Sequence, residues 1–176
     1  MSYDRVSRRV FQTRFGGAEA LPEEKGDCFQ ACVATLLGIP LEDAFDANEA
    51  YRRWKSGELG ESMRAHWFLQ FEDWCELRGF RVLVEQEPIG GVLALAAVAS
   101  PALRDTEGKP EGHEVLAIGW EVVHDPNERY AERKSYELDP SIGPEFIYLI
   151  PRDPGPRNDP LPRLRARPRI DWEGKR

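Results

Sequence analysis

A chain of 176 residues fits one domain with a hydrophobic core of its own. Its hydrophobic and charged residues, 41% and 31%, are those of a globular protein, and no apolar run approaches the about 20 residues of a membrane-spanning helix. The net charge of −7 argues against a nucleic-acid-binding body, although from Pro151 onward eight Lys/Arg stand against four Asp/Glu, leaving the body at −11.

The first 25 residues are polar and irregular, with Val10, Phe11 and Phe15 as anchors for a segment laid across the surface. Met1–Val6 has no apolar signal core, so a cytoplasmic protein is expected. The run from Gly26 to Gly38 then reads as a loop, a cysteine and an apolar helix. Asp27 is placed as its N-cap, with the carboxylate accepting from the first free N–H groups. Phe29, Cys32, Val33, Leu36 and Leu37 recur at helical spacing, and Gly38 ends the helix ahead of Pro40. Cys28 thus falls in the first turn, where unpaired N–H groups and the helix dipole favour a thiolate. The plain alternative is a small core cysteine that happens to start a helix.

A polar connection with short helical turns follows to about Trp54, then a loop over 55–61. Ser62 to Arg78 reads as one amphipathic helix whose buried stripe is Trp67, Phe71, Trp74 and Leu77, capped by Gly79. His66 lies within it as a partly buried surface residue. Strands are expected at 80–84, 91–99, 113–118, 120–124 and 145–150, with a loop from Ser100 to Gly112 and a turn near Gly119. Helices first and strands second indicate α+β with an antiparallel sheet. Residues 152–176 carry five prolines and few core formers and read as a tail.

A cysteine nucleophile needs a base, and the base needs a group that orients it. His113 opens a strand, His124 ends the next, and Asp125 follows. An odd-numbered turn in that hairpin puts His113 and Asp125 on one face; a two-residue turn puts His124 there instead. The sequence leaves both registers open, and Asp125-Pro126-Asn127 is also a good turn by itself. Glu114 adds negative charge beside His113 and favours a charged imidazole. Cys28 and Cys32, one helical turn apart, could with two histidines ligate zinc, but such pairs belong on a knuckle rather than an apolar helix face. No metal or cofactor is expected.

Several segments together resemble a known family: Gln12-Thr13-Arg14-Phe15; the run Gly26-Asp27-Cys28 through Leu41-Glu42-Asp43; a Trp-rich helix ending in Arg78-Gly79-Phe80; Gly112-His113; Val123-His124-Asp125-Pro126; and Tyr148-Leu149-Ile150-Pro151. The pattern resembles papain-like cysteine peptidases, closest to small uncharacterised proteins of bacteria and phages related to the C39-like, bacteriocin-processing peptidases. The resemblance covers about residues 11–151. It implies a papain-like α+β domain over 1–151, with the Cys-bearing helix packed on a C-terminal antiparallel sheet. It implies Cys28 as nucleophile, His113 as general base and acid, and Asp125 as the residue that orients the histidine. The family also uses a glutamine a few residues before the cysteine for the oxyanion. The matching place here, Leu21-Pro22-Glu23, holds none, which leaves Gln12 as the upstream candidate, while Gln30 turns from the site.

The expected function is hydrolysis of a peptide or isopeptide bond through an acyl-enzyme, with a peptide or protein as partner and no membrane. The alternative is a papain-like module that binds a peptide or protein without turnover. The alternating Arg163, Arg165, Arg167 and Arg169 allow the tail to contact an acidic partner or nucleic acid, against the plainer reading of a solvated terminus.

Overall fold

The computed structural model describes residues 9–17, 20–21, 24–60, 62–104, 106–130 and 145–152. The basic tail lies outside the described residues, apart from Arg152.

Three helices precede the sheet: α1 (Cys28–Leu37), α2 (Ala47–Lys55) and α3 (Trp67–Leu77). Five strands follow: β1 (Phe80–Glu85), β2 (Leu93–Arg104), β3 (Pro110–Ile118), β4 (Glu121–His124) and β5 (Phe146–Pro151). All pairings are antiparallel in the order β1-β5-β2-β3-β4, so the fold class is α+β. The last strand inserts between the first two, pairing Leu95 with Ile147 and Val82 with Leu149. Among the described residues, no single helix is long and apolar enough to cross a membrane.

Alternation along the strands divides the sheet into two apolar faces. Leu95, Leu116 and Ile147 pack against Cys32, Val33, Phe71 and Cys75 of the helices. Ala94, Ala96, Val98, Val115, Ala117, Phe146 and Tyr148 form a second cluster on the other face. Burial on both faces explains why β2 is written as an unbroken run of small apolar residues rather than an alternating one. Gly38, in the left-handed region at φ 68°, lets its own N–H and that of Ile39 close the end of α1 on the carbonyls of Thr35 and Ala34.

Four expectations are corrected. The loop placed over 100–112 is mostly strand, because β2 runs through Arg104 and β3 begins at Pro110. Pro101 is accommodated where the register shifts, between the Ala99 and Arg104 pairings, and Pro110 at the first residue of β3, opposite Arg104. The helix over 62–78 breaks at His66 (ψ 131°), which separates the short 3₁₀ turn Met63–Ala65 from α3 and caps the latter through its ring nitrogen on Phe68 N (3.3 Å). Asp27 precedes α1 but its carboxylate does not cap it. Leu77, assigned to the buried stripe, is 86% exposed: it is the last residue of α3, where the helix turns away from the core. Leu77→Ser is therefore expected to change unfolding free energy by less than about 0.5 kcal/mol in a urea titration, as for surface substitutions generally.

Candidate active site

The first turn of α1 is held by the segment upstream of it. Asp27, 3% exposed, turns its carboxylate back to accept from Thr13 N (2.9 Å), Thr13 Oγ1 (2.8 Å) and Arg14 N (3.0 Å), with Arg14 Nε at 3.5 Å. The helix's N–H groups ahead of Ala31, including that of Cys28, thus receive nothing from the residue expected to cap them. The first backbone bond of the helix runs from Ala31 N to Asp27 O (2.9 Å). Cys28 is partly exposed, whereas Cys32 and Cys75 are buried. Burial, with the charges of Cys28, Glu114 and Asp125, pushes the Cys32 thiol far up. It donates to Glu114 O at 3.4 Å as a core group. Cys75 is pushed up to about 12, chiefly by burial.

The hairpin supplies the rest. Ile118 pairs with Glu121, so the turn is the two-residue Gly119-Trp120, with Gly119 at φ 60°. A two-residue turn alone would have put His124 on the face of His113. One extra residue, Val123, intervenes: Ala117 pairs with Val122, but Leu116 pairs with His124. The bulge moves the register by one, so His113 and Asp125 share a face and His124 turns towards the helices. His124 Nε2 lies 3.1 Å from Val10 O and 3.4 Å from Thr35 Oγ1 of α1, and Phe11 packs on its ring.

His113 Nε2 and Asp125 Oδ1 are 2.9 Å apart, with both residues at least nine-tenths buried. Cys28 lies close enough to the ring to favour its charged form. Burial opposes charge on this imidazole, but the hydrogen bonds to Asp125 and Cys28 and their charges outweigh it, raising His113 to about 10. Asp125 also serves its turn, its Oδ1 accepting from Asn127 N (2.7 Å), so the turn role and the pairing role coexist.

Gln12 is brought to the same end of the molecule. Its backbone N donates to Pro126 O (2.9 Å), next to Asp125. Its Nε2 donates to Arg14 O (3.0 Å), a carbonyl that also takes Asp27 N (3.4 Å), and its Oε1 is buried without a partner among the described residues. Gln30 turns away and holds the chain after α1 through Leu41 O (2.9 Å). Among the described residues no three His, Cys, Asp or Glu side chains converge to hold a metal ion, and Cys32 points into the core rather than beside Cys28.

The sequence marked anchors and Gln12 in the segment that joins these parts, but not which groups it ties together. Residues 10–14 tie the exit of β4 to the entrance of α1, through Val10 on Thr35, Gln12 on Pro126, and Thr13 and Arg14 on Asp27. Glu114, next to His113, has a buried Oε2 without a partner among the described residues. Burial pushes its carboxyl up to about 8; His113 opposes this and Glu145 adds to it. The folded state therefore keeps a proton that the unfolded chain releases near 4.5, so this group lowers stability as pH rises from there towards 8. Glu114→Gln, which has no proton to lose, is expected to flatten that decline, adding on the order of 1–3 kcal/mol at pH 8 relative to its effect at pH 4. Urea titrations at the two pH values read it.

No family model matches the chain, and neither does any curated protein or solved structure.

Proposed function

We propose that the chain is a papain-like thiol hydrolase that cleaves an amide bond, peptide or isopeptide, through Cys28, His113 and Asp125. The carrying observation is the buried, hydrogen-bonded pair of His113 and Asp125, with Cys28, in the first turn of α1, close enough to bias the charge of the ring. A cysteine-bearing helix packed on an antiparallel sheet that supplies the histidine and the carboxylate supports the papain-like assignment.

In this reading Cys28 Sγ attacks the carbonyl carbon, forming a C–S bond as the carbonyl electrons move to oxygen. The N–H groups at the start of α1 take that oxyanion in this reading, with Gln12, which has a second amide N–H, as the assisting side chain. The His113 imidazolium gives its proton to the departing amine as the C–N bond breaks. Water, deprotonated by His113, then releases the acid from the thioester.

One observation favours the alternative, a module that binds a peptide or protein without turnover: one N–H of Gln12 is already committed to Arg14 O. The test is the alkylation rate of Cys28 against pH, with Cys32 and Cys75 as internal controls. A catalytic site predicts that Cys28 reacts at least about tenfold faster than either near pH 7, and that His113→Ala removes the advantage. Ordinary thiol behaviour of Cys28, with a pKa of about 8.5, rejects the hydrolase.

A further inference from the structure

A concave surface borders the segment that leads into Cys28. It encloses about 480 Å³ between Lys25 on one side and α2 on the other. Its wall is fixed by Asn48 Nδ2, which donates to Gly26 O (2.9 Å), and by Arg14, which bridges Asp27 and Asp46 at 3.5 Å each. Four cationic side chains line it against two carboxylates, on a body that carries −11. The two arginines are neutralised locally, Arg14 by Asp27 and Asp46, Arg52 by Glu49 and Glu58. Lys25 and Lys55 are not: among the described residues neither ammonium has a carboxylate partner. Both instead lie near the half-exposed ring of Tyr51, at 5.8 and 5.5 Å from its centre, and Lys55 also covers Trp54 at 4.1 Å.

Two ammonium groups gathered on one aromatic ring, with no carboxylate partner among the described residues of a strongly acidic body, suit an anion that comes from outside. A cationic ligand would meet the two lysines first. Lys25 precedes Cys28 by three residues, which limits the separation of their Cα atoms to about 11 Å. An extended substrate advances about 3.3 Å per residue, so about three residues cover that backbone separation.

We propose that this cavity is a substrate subsite for a carboxylate side chain, with Lys25 and Lys55 as its cationic partners and Tyr51 as its floor. The proposal rests on the hydrolase reading for its link to Cys28 but not for the binding itself. The net charge of the body disfavours acidic peptides on average, so one basic subsite near the segment that leads into Cys28 gives selection by position as well as by charge.

The test uses the full chain and three alkylating probes: chloroacetamide, chloroacetyl-Gly-Gly-Glu-amide and its Gln counterpart, with one-Gly and three-Gly versions to vary reach. Each forms a C–S bond to Cys28 and releases chloride. Rates are taken relative to chloroacetamide, which reads thiol reactivity alone. The Glu probe is expected to label Cys28 about tenfold faster than the Gln probe at 50 mM salt, equivalent to about 1.4 kcal/mol. The ratio is expected to shrink towards one at about 0.5 M salt, where screening is short-ranged, and in Lys25→Gln/Lys55→Gln. Equal labelling by Glu and Gln probes at every spacing, or a preference that survives the double substitution, overturns the subsite. If Cys28 shows no excess reactivity with chloroacetamide, the hydrolase fails separately. Tryptophan fluorescence during titration with acetyl-Gly-Gly-Glu-amide then decides the subsite: a saturable change absent from the double variant supports it, and no change overturns it.

Discussion

Asp125→Ala is expected to lower the alkylation rate of Cys28 at pH 7 by about 10²-fold, and turnover of any amide substrate by about 10²–10⁴-fold. The reason lies in the balance of effects on His113. Burial works against a charged imidazole, and the hydrogen bonds and charges of Asp125 and Cys28 reverse that balance. With the carboxylate gone, burial dominates, the ring becomes neutral, and the thiol keeps its proton. Asp125→Asn is expected to fall between the variants, since an amide oxygen still accepts from His113 and from Asn127 N but carries no charge. The pH profile separates this from mere damage to the turn. In the wild type the imidazolium persists to about pH 10, so acid assistance to the leaving amine is lost only as pH rises through that value. The stability from the His113–Asp125 pair runs the same way: because folding raises the imidazole's pKa, the contribution is complete below about 6.5 and disappears as pH rises through about 10. In Asp125→Ala the descending limb moves towards neutral pH. A variant that keeps the wild-type profile between pH 5 and 11 contradicts the assigned role.

The α1 segment was legible because everything that defines it is local: a helical apolar period, a glycine stop and a proline beyond it. The pairing of His113 with Asp125 was not, because it hangs on Val123. Nothing in Val122-Val123-His124 marks a bulge; both valines suit a regular strand equally well, and only the paired strand reveals that one residue is surplus. The extension of β2 past Ser100 was hidden for the opposite reason. Pro101 reads as a breaker, yet it falls where the ladder is already irregular and no N–H is required of it. The position of β5 between β1 and β2 was illegible altogether, since strand order depends on packing between distant segments and leaves no periodic trace. Leu77 shows the limit of the helical period itself: spacing assigns a residue to a stripe but does not say where the helix leaves the core.

Asp27→Ala is expected to destabilise the fold by about 3–5 kcal/mol, the range for stranding the partners of a buried charge. In sequence Asp27 is one more capping residue. In the structure it is the anchor for a segment without secondary structure of its own, accepting from two backbone N–H groups and a hydroxyl of Thr13 and Arg14. That segment also carries Gln12, bonded to Pro126, and Val10, bonded to Thr35 and to His124. Asp27 therefore acts as a positioning residue, linking the start of the Cys28 helix to the end of the strand that presents Asp125. Asp27→Asn retains an acceptor for the two N–H groups and is expected to cost about half as much. Urea titration gives the stability term. The positioning role has its own readout in folded protein at zero urea: the pH dependence of Cys28 alkylation. If Asp27 held only the segment, Cys28 in Asp27→Asn would keep its neutral-pH advantage over Cys32 and Cys75. If it sets the approach of Cys28 to His113, that advantage falls while the fold persists, and the loss is larger in Asp27→Asn than in Leu77→Ser, which leaves the link untouched.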